Sequence, residues 1–165
     1  MHRHADADVP AKVSSHTSLE NGAFVSVNIA IGFDYGARRI GVAIGNRLAH
    51  SARALAVVAN NDNGPDWKHI ATLVREWRPE TLLVGLPLML DGSEQHTSRA
   101  ARAFAEELKQ RHPLPVELVD ERSSSREAAQ RFAARRASGT AKRKQAAELD
   151  AVAAEIIIER WLDGN

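Results

Sequence analysis

The chain has 165 residues and a mass of 18.0 kDa, with 22 Lys+Arg against 21 Asp+Glu, 44% hydrophobic residues and no cysteine. That length predicts one domain with a real core rather than two large ones, and the missing cysteines exclude a disulfide framework, a thiolate metal site and a cysteine nucleophile. The formal net charge of +1 argues, taken alone, against a nucleic-acid partner, but an average hides segregation.

From Met1 to Ser26 the sequence is polar, without a sustained period of 2 or 3.6, and reads as a disordered N-terminal extension ahead of a domain over 27–165. It lacks the hydrophobic stretch of a secretory signal, and no apolar run approaches the ~20 residues that span a bilayer. A cytoplasmic location with no membrane partner is expected. Order begins with Val27–Phe33, an apolar run with β-branched residues on both faces, as in a strand buried on two sides. Arg39–Gly45 and Ala54–Ala59 follow after short connections, which predicts a three-stranded antiparallel meander.

Asp66 is placed to cap a helix over Trp67–Trp77, with Trp67, Ile70, Leu73, Val74 and Trp77 at helical spacing and Pro79 ending it. The three tryptophans, Trp67, Trp77 and Trp161, take core positions rather than base-stacking ones. Then come a short apolar strand, Thr81–Gly85, a loop to Gly92, a helix over Gln95–Arg111 and a strand at Val116–Asp120. Ser124 and Glu127 form a capping box for a helix to about Ala137, and a basic loop leads to a final helix over Gln145–Leu162. Helix alternating with short strand in this half implies parallel pairing with crossovers. The expected fold is α/β: a mixed sheet in which an antiparallel meander joins parallel strands, with helices on both faces.

Three elements deliver carboxylates where apolar neighbours surround them. Asp34 ends the most apolar strand, although an Asp-Tyr-Gly turn explains it equally well. Asp120 and Glu121 end another strand, and side-chain alternation lets only one of them face a site shared with Asp34. On the final helix, at ~100° per residue, Glu148, Glu155 and Glu159 define a solvated side. Asp150 instead falls within the apolar arc of Leu149, Ala153, Ile156, Ile157 and Trp161. A buried carboxylate needs a cationic partner or a proton. Converging carboxylates without thiols suit a hard cation, Mg²⁺ or Mn²⁺, and two such ions would activate a water and stabilise the leaving oxygen of a phosphodiester. His50, His69, His96 and His112 show no metal-ligand spacing.

Four blocks carry a resemblance. They are Phe33-Asp34-Tyr35-Gly36-Ala37-Arg38-Arg39-Ile40-Gly41-Val42-Ala43, Val84-Gly85-Leu86-Pro87-Leu88-Met89-Leu90-Asp91-Gly92-Ser93-Glu94, Val119-Asp120-Glu121-Arg122-Ser123-Ser124 and Leu149-Asp150-Ala151-Val152-Ala153-Ala154. In this order the chain resembles the YqgF/RuvX family of pre-16S rRNA nucleases, also called Holliday junction resolvases, over about Ile29–Leu162. The resemblance implies an RNase H-like fold and a role in maturing the 5′ end of 16S rRNA during ribosome biogenesis, with ribosomal precursor particles as partners. It also implies that Asp34, Glu121 and Asp150 occupy the catalytic positions, with Asp120 beside them as a further metal ligand. The family's usual Asn in the second block is Met89 here, and the small residue after the last aspartate is Ala151.

Charge is segregated. Arg122–Gln145 holds eight basic residues against the single acid Glu127, a net +7, which leaves −6 on the rest of the chain. Such a segment suits phosphate contacts that position a backbone without reading sequence. We assign the nucleic-acid contacts to Arg38, Arg39, Arg122, Arg126, Arg135, Arg136, Lys142, Arg143 and Lys144. The glycines of the loop Gly85–Gly92 would also let a phosphate approach the backbone, although a plain strand-to-helix connection fits as well. A metal-dependent pre-16S rRNA nuclease is the leading expectation. The alternatives are a resolvase acting on branched DNA and a non-catalytic assembly factor that binds pre-rRNA; a homodimer favours the resolvase and a monomer counts against it.

Overall fold

The computed structural model describes residues 28–122, Gln130 and 145–164. In chain order the elements are β1 (Ile29–Tyr35), β2 (Arg39–Asn46), β3 (Ser51–Asn61), β4 (Gly64–Pro65), α1 (Trp67–Trp77), β5 (Thr81–Leu86), α2 (His96–Arg111), β6 (Val116–Asp120) and α3 (Gln145–Gly164). The expected extension over Met1–Ser26 and the expected helix from Ser124 to Ala137 lie outside the described residues. So does the basic loop before α3.

The strands order as β4-β3-β2-β1-β5-β6 in one mixed sheet. β1, β2 and β3 form the antiparallel meander, and β1–β5 and β5–β6 pair in parallel, as the alternation of helix and strand requires. Two details differ from the sequence expectation. β3 is longer than Ala54–Ala59, and the turn-rich segment after it contains the two-residue strand β4, which folds back on Asn60 and Asn61. Gly64, at φ 102°, supplies the left-handed backbone that this reversal needs.

The two faces of the sheet differ in side-chain size. On one face Ile31, Phe33, Ile40, Val42, Val58, Leu82, Val84 and Leu86 pack with Ile70 and Leu73 of α1 and with Phe104, Ala105 and Leu108 of α2. Phe104 anchors this layer, its ring 5.6 Å from that of Phe33, 4.8 Å from Tyr35 and 5.6 Å from Trp67. The other face is built from Ala30, Gly32, Ala43, Gly45 and Leu83, and α3 lies directly on it through Ala154, Ile157, Ile158, Trp161 and Leu162. A Cβ on Gly32 would come 3.0 Å from Ile158 Cδ1, and one on Gly45 would collide with Ile158 Cγ2. Small residues on the strands and branched ones on the helix thus bring α3 close to the sheet.

The helix ends follow their chemistry. The Asp66 side chain accepts from the His69 N–H at 3.2 Å, and Arg78, left-handed at φ 47°, returns its N–H to Val74 O before Pro79. At the start of α2, Ser98 Oγ accepts from the Gln95 N–H at 2.9 Å and donates to Pro87 O. Of the tryptophans, Trp161 is buried with the Arg47 guanidinium 4.0 Å above its ring, and Trp67 and Trp77 pack against the first core layer. α3 is buried around more of its circumference than the helical wheel predicts: Val152 and Ile158 are enclosed, and Glu155 and Glu159 are half-buried. No helix among the described residues is long and apolar enough to cross a membrane.

Candidate active site

The site is organised by a row of three residues across the middle of the sheet. Asp34, near the end of β1, pairs with Gly41 of β2 in the antiparallel register. On its other side the parallel register runs to Phe33↔Val84, and one further step sets Asp34 beside Gly85 of β5. Residues aligned in this way share a face, and the glycines show which one. A Cβ on Gly41 would collide with the main-chain oxygen of Asp150 on α3. A Cβ on Gly85 would collide with Ile157 Cδ1 and lie 2.7 Å from Glu121 Cδ and 2.8 Å from Glu121 Oε2. Asp34 therefore points to the α3 side, with Asp150 over the glycine on one flank and Glu121 against the glycine on the other. With strands ~4.8 Å apart, the two flanking positions lie about 10 Å from each other.

The electrostatics follow from that placement. Burial first, and the neighbouring Asp150 charge second, push the Asp34 carboxyl from 3.8 up to about 7. Asp150 is held by Arg39, whose Nε lies 2.7 Å from Oδ2, in a pair open to solvent on the arginine side. Glu121 is 6% exposed, and its own N–H donates to Leu86 O at 3.1 Å. Asp120 turns the other way. Its carboxylate accepts from Arg122 Nη2 at 2.7 Å, from Arg122 Nε and from the Arg122 N–H, and these bonds hold it below the usual carboxylate range. The choice between Asp120 and Glu121 left open by alternation is thus made by the fold, since Glu121 lies inward beside Gly85.

A hard divalent cation suits this chemistry. Asp34 and Asp150 are two oxygen donors on facing elements, and burial first and the Asp150 charge second drive Asp34 toward a proton, a cost that a cation offsets. Among the described residues no three carboxylate or imidazole side chains converge tightly enough to form a ready-made cage. Asp34, Asp150 and Glu121 are the groups that would close on an ion, and Asp120 is engaged elsewhere.

The expected nucleic-acid contacts divide three ways. Arg38 is exposed in the turn after β1. Arg39 and Arg122 are engaged with Asp150 and Asp120, and Arg122 Nη1 also donates to Leu90 O at 3.2 Å, bracing the loop after β5. Arg126, Arg135, Arg136, Lys142, Arg143 and Lys144 lie outside the described residues. The loop after β5 is a braced turn in which Leu88 bridges to Glu94 and Asp91 Oδ1 accepts from Ser93 N and Oγ. It leaves Met89 48% and Leu90 71% exposed. Gly85 makes room for the Glu121 carboxylate and Ile157, a role that neither the phosphate-approach nor the plain-connection reading of this loop contained. Also missed was Arg160, which reaches the carbonyls of Asp120 and Arg122; an arginine on a helix flank carries no sequence signal for such a contact.

A model of the RuvX family, described as Holliday junction resolvase, matches residues 28–164. Among similar chains, the "Putative pre-16S rRNA nuclease" of Xanthomonas oryzae pv. oryzae (strain PXO99A) is 52% identical over 143 residues, 87% of this chain and 92% of that one. A protein of the same name from Xanthomonas campestris pv. campestris (strain B100) is 53% identical over 143 residues, again 87% and 92%. Among solved structures, RuvC of T. thermophilus in complex with a Holliday junction substrate aligns with a TM-score of 0.50 at 16% identity, covering 83% of this chain and 94% of that one. At that identity the likeness speaks for the fold, which is RNase H-like.

Proposed function

The chain belongs to the RuvX Holliday junction resolvase family, and from that membership we propose that it is a metal-dependent nuclease that trims the 5′ end of pre-16S rRNA in the cytoplasm during ribosome biogenesis. The observation that carries the proposal is the row Gly41, Asp34, Gly85, with Asp150 and Glu121 seated on its two ends. Asp34 and Asp150 lie close enough for their charges to repel, a cost that a bound cation offsets and that packing alone does not explain.

In this reading Asp34, Glu121 and Asp150 hold Mg²⁺ or Mn²⁺, and Arg39 orients the Asp150 carboxylate. The bound cation supplies activation of the attacking water and stabilisation of the leaving oxygen of the phosphodiester. The three carboxylates would hold the cation at the point where the reacting phosphate enters, and the basic segment from Arg122 to Lys144 holds the flanking backbone through charge.

A second reading, cleavage of a four-way DNA junction, is favoured by the family's own description. The purified protein incubated with 16S precursor RNA and with a four-way DNA junction, in Mg²⁺ or Mn²⁺, tests both. The expected result is cleavage of the RNA by the parent chain, and loss of at least 10²-fold in rate in Asp34→Asn and Asp150→Asn. Cutting of the junction alone would replace the first reading with the second, and variants that cut as well as the parent would refute both.

A further inference from the structure

Arg160 lies in the last turns of α3, ten residues after Asp150 and so ~15 Å further along the helix axis. Its Nη1 donates to Asp120 O at 3.2 Å and to Arg122 O at 2.9 Å, across 40 and 38 residues of sequence. Those two carbonyls flank Glu121. The ladder between β5 and β6 ends at Leu86↔Asp120, and the Glu121 N–H makes one more bond, to Leu86 O. The main chain around Glu121 is therefore pinned from two sides, by β5 through its own N–H and by α3 through the carbonyls before and after it. Both bonds come from Nη1, whose two N–H groups serve one carbonyl each, and the guanidinium's charge and reach strengthen this double contact beyond what a shorter neutral amide offers.

We infer that Arg160 is a positioning residue for Glu121, an inference that rests on the nuclease reading above. One helix then serves both flanks of the site. Near its start α3 presents Asp150 over Gly41, and near its end it sets the direction in which Glu121 leaves β6 and enters the space beside Gly85. The spacing of the acidic groups is thereby tied to one element, α3. Groups that orient the side chains bound to a metal commonly govern metal affinity or activity by about 10–100-fold.

The test uses the full chain as the parent, Arg160→Gln, Arg160→Lys and, as a control, Asp34→Asn. Two readouts are taken well below each variant's melting temperature: half-saturation by Mn²⁺ followed by titration calorimetry, and kcat and KM on 16S precursor RNA. Arg160→Gln is expected to raise the Mn²⁺ half-saturation about tenfold and to lower kcat about 10–100-fold, with KM for RNA moving less than about threefold. Arg160→Lys, which keeps the charge and one strong donor, should fall between it and the parent. If Arg160 merely tied β6 to α3, the melting temperature would drop while Mn²⁺ half-saturation and kcat of the folded protein stayed at parental values, and that result overturns the inference. Should Arg160→Gln not fold, Arg160→Lys carries the test, and a parental Mn²⁺ half-saturation in it is equally fatal. A parent that neither binds Mn²⁺ nor cuts RNA would bring down the nuclease reading and this inference together. Parental behaviour in Arg160→Gln beside an active parent removes the inference alone.

Discussion

At Asp34, burial and the Asp150 charge together raise the carboxyl from 3.8 to about 7, which has a consequence for stability. The unfolded chain releases this proton near pH 4, whereas the folded chain keeps it until about pH 7. The proton-linked stability is thus fully present below pH 4 and is lost as pH rises through about 7. In the cation-free protein the loss amounts to at most a few kcal/mol. Asp34→Asn should therefore melt higher than the parent at pH 8 in a chelator, and the difference should vanish at pH 4. Added Mn²⁺ should raise the melting temperature of the parent at pH 8 and leave that of the variant in place. Parallel pH profiles for the two proteins would sink this account. The acids themselves were legible in the sequence, because Asp34 and Asp150 each interrupt an apolar pattern. Which of Asp120 and Glu121 faces inward was not, since it depends on Arg122 capturing Asp120 and on the empty Cα of Gly85 beside β6.

Among the elements, α3 depends most closely on residues far away in the chain. It approaches the sheet over Gly32, Gly41 and Gly45, and the contact at Gly41 is with main chain, which cannot rotate aside. Gly41→Ala should push the α3 segment around Asp150 away from β2, costing about 1–3 kcal/mol by overpacking and abolishing the Mn²⁺ effect on melting. Gly164→Ala, where nothing lies within 4 Å, is the neutral control. A Gly41→Ala protein with parental melting behaviour and parental Mn²⁺ response would show that the close approach does not matter. The elements themselves were readable: apolar runs, caps and prolines located the meander, α1, α2 and the parallel strands. The small residues at period 2, Ala30 and Gly32 on β1 and Gly41, Ala43 and Gly45 on β2, are also visible in the sequence. Their meaning was not, because a row of small side chains says that something approaches without saying what.

For the molecule as a whole, the near-zero net charge resolves into a +7 segment and a −6 remainder that includes the site acids. If Lys142, Arg143 and Lys144 contact phosphates, replacing all three with alanine should reduce the slope of log affinity against log salt by about 2–3, at ~0.7–0.9 per contact. Fluorescence anisotropy with 16S precursor RNA between 50 and 200 mM salt measures it, and an unchanged slope would remove these residues from the interface. Arg39 and Arg122, counted with them in the sequence, are instead engaged with Asp150 and Asp120, so a count of positive charges overstates what is available to a polynucleotide. The sequence by itself determined the order of the meander, α1, β5, α2, β6 and α3, though not β4, the parallel and antiparallel halves of the sheet, and that any site here is built without thiolates. Those follow from local patterns of polarity and from the absence of thiols. Only the tertiary structure decided that Gly41 and Gly85 flank Asp34, that Glu121 rather than Asp120 turns inward, and that Arg160 reaches the end of β6. Each of these rests on contacts between residues tens of positions apart, set by sheet register and by how closely a helix can lie on a strand without side chains, which no local pattern records.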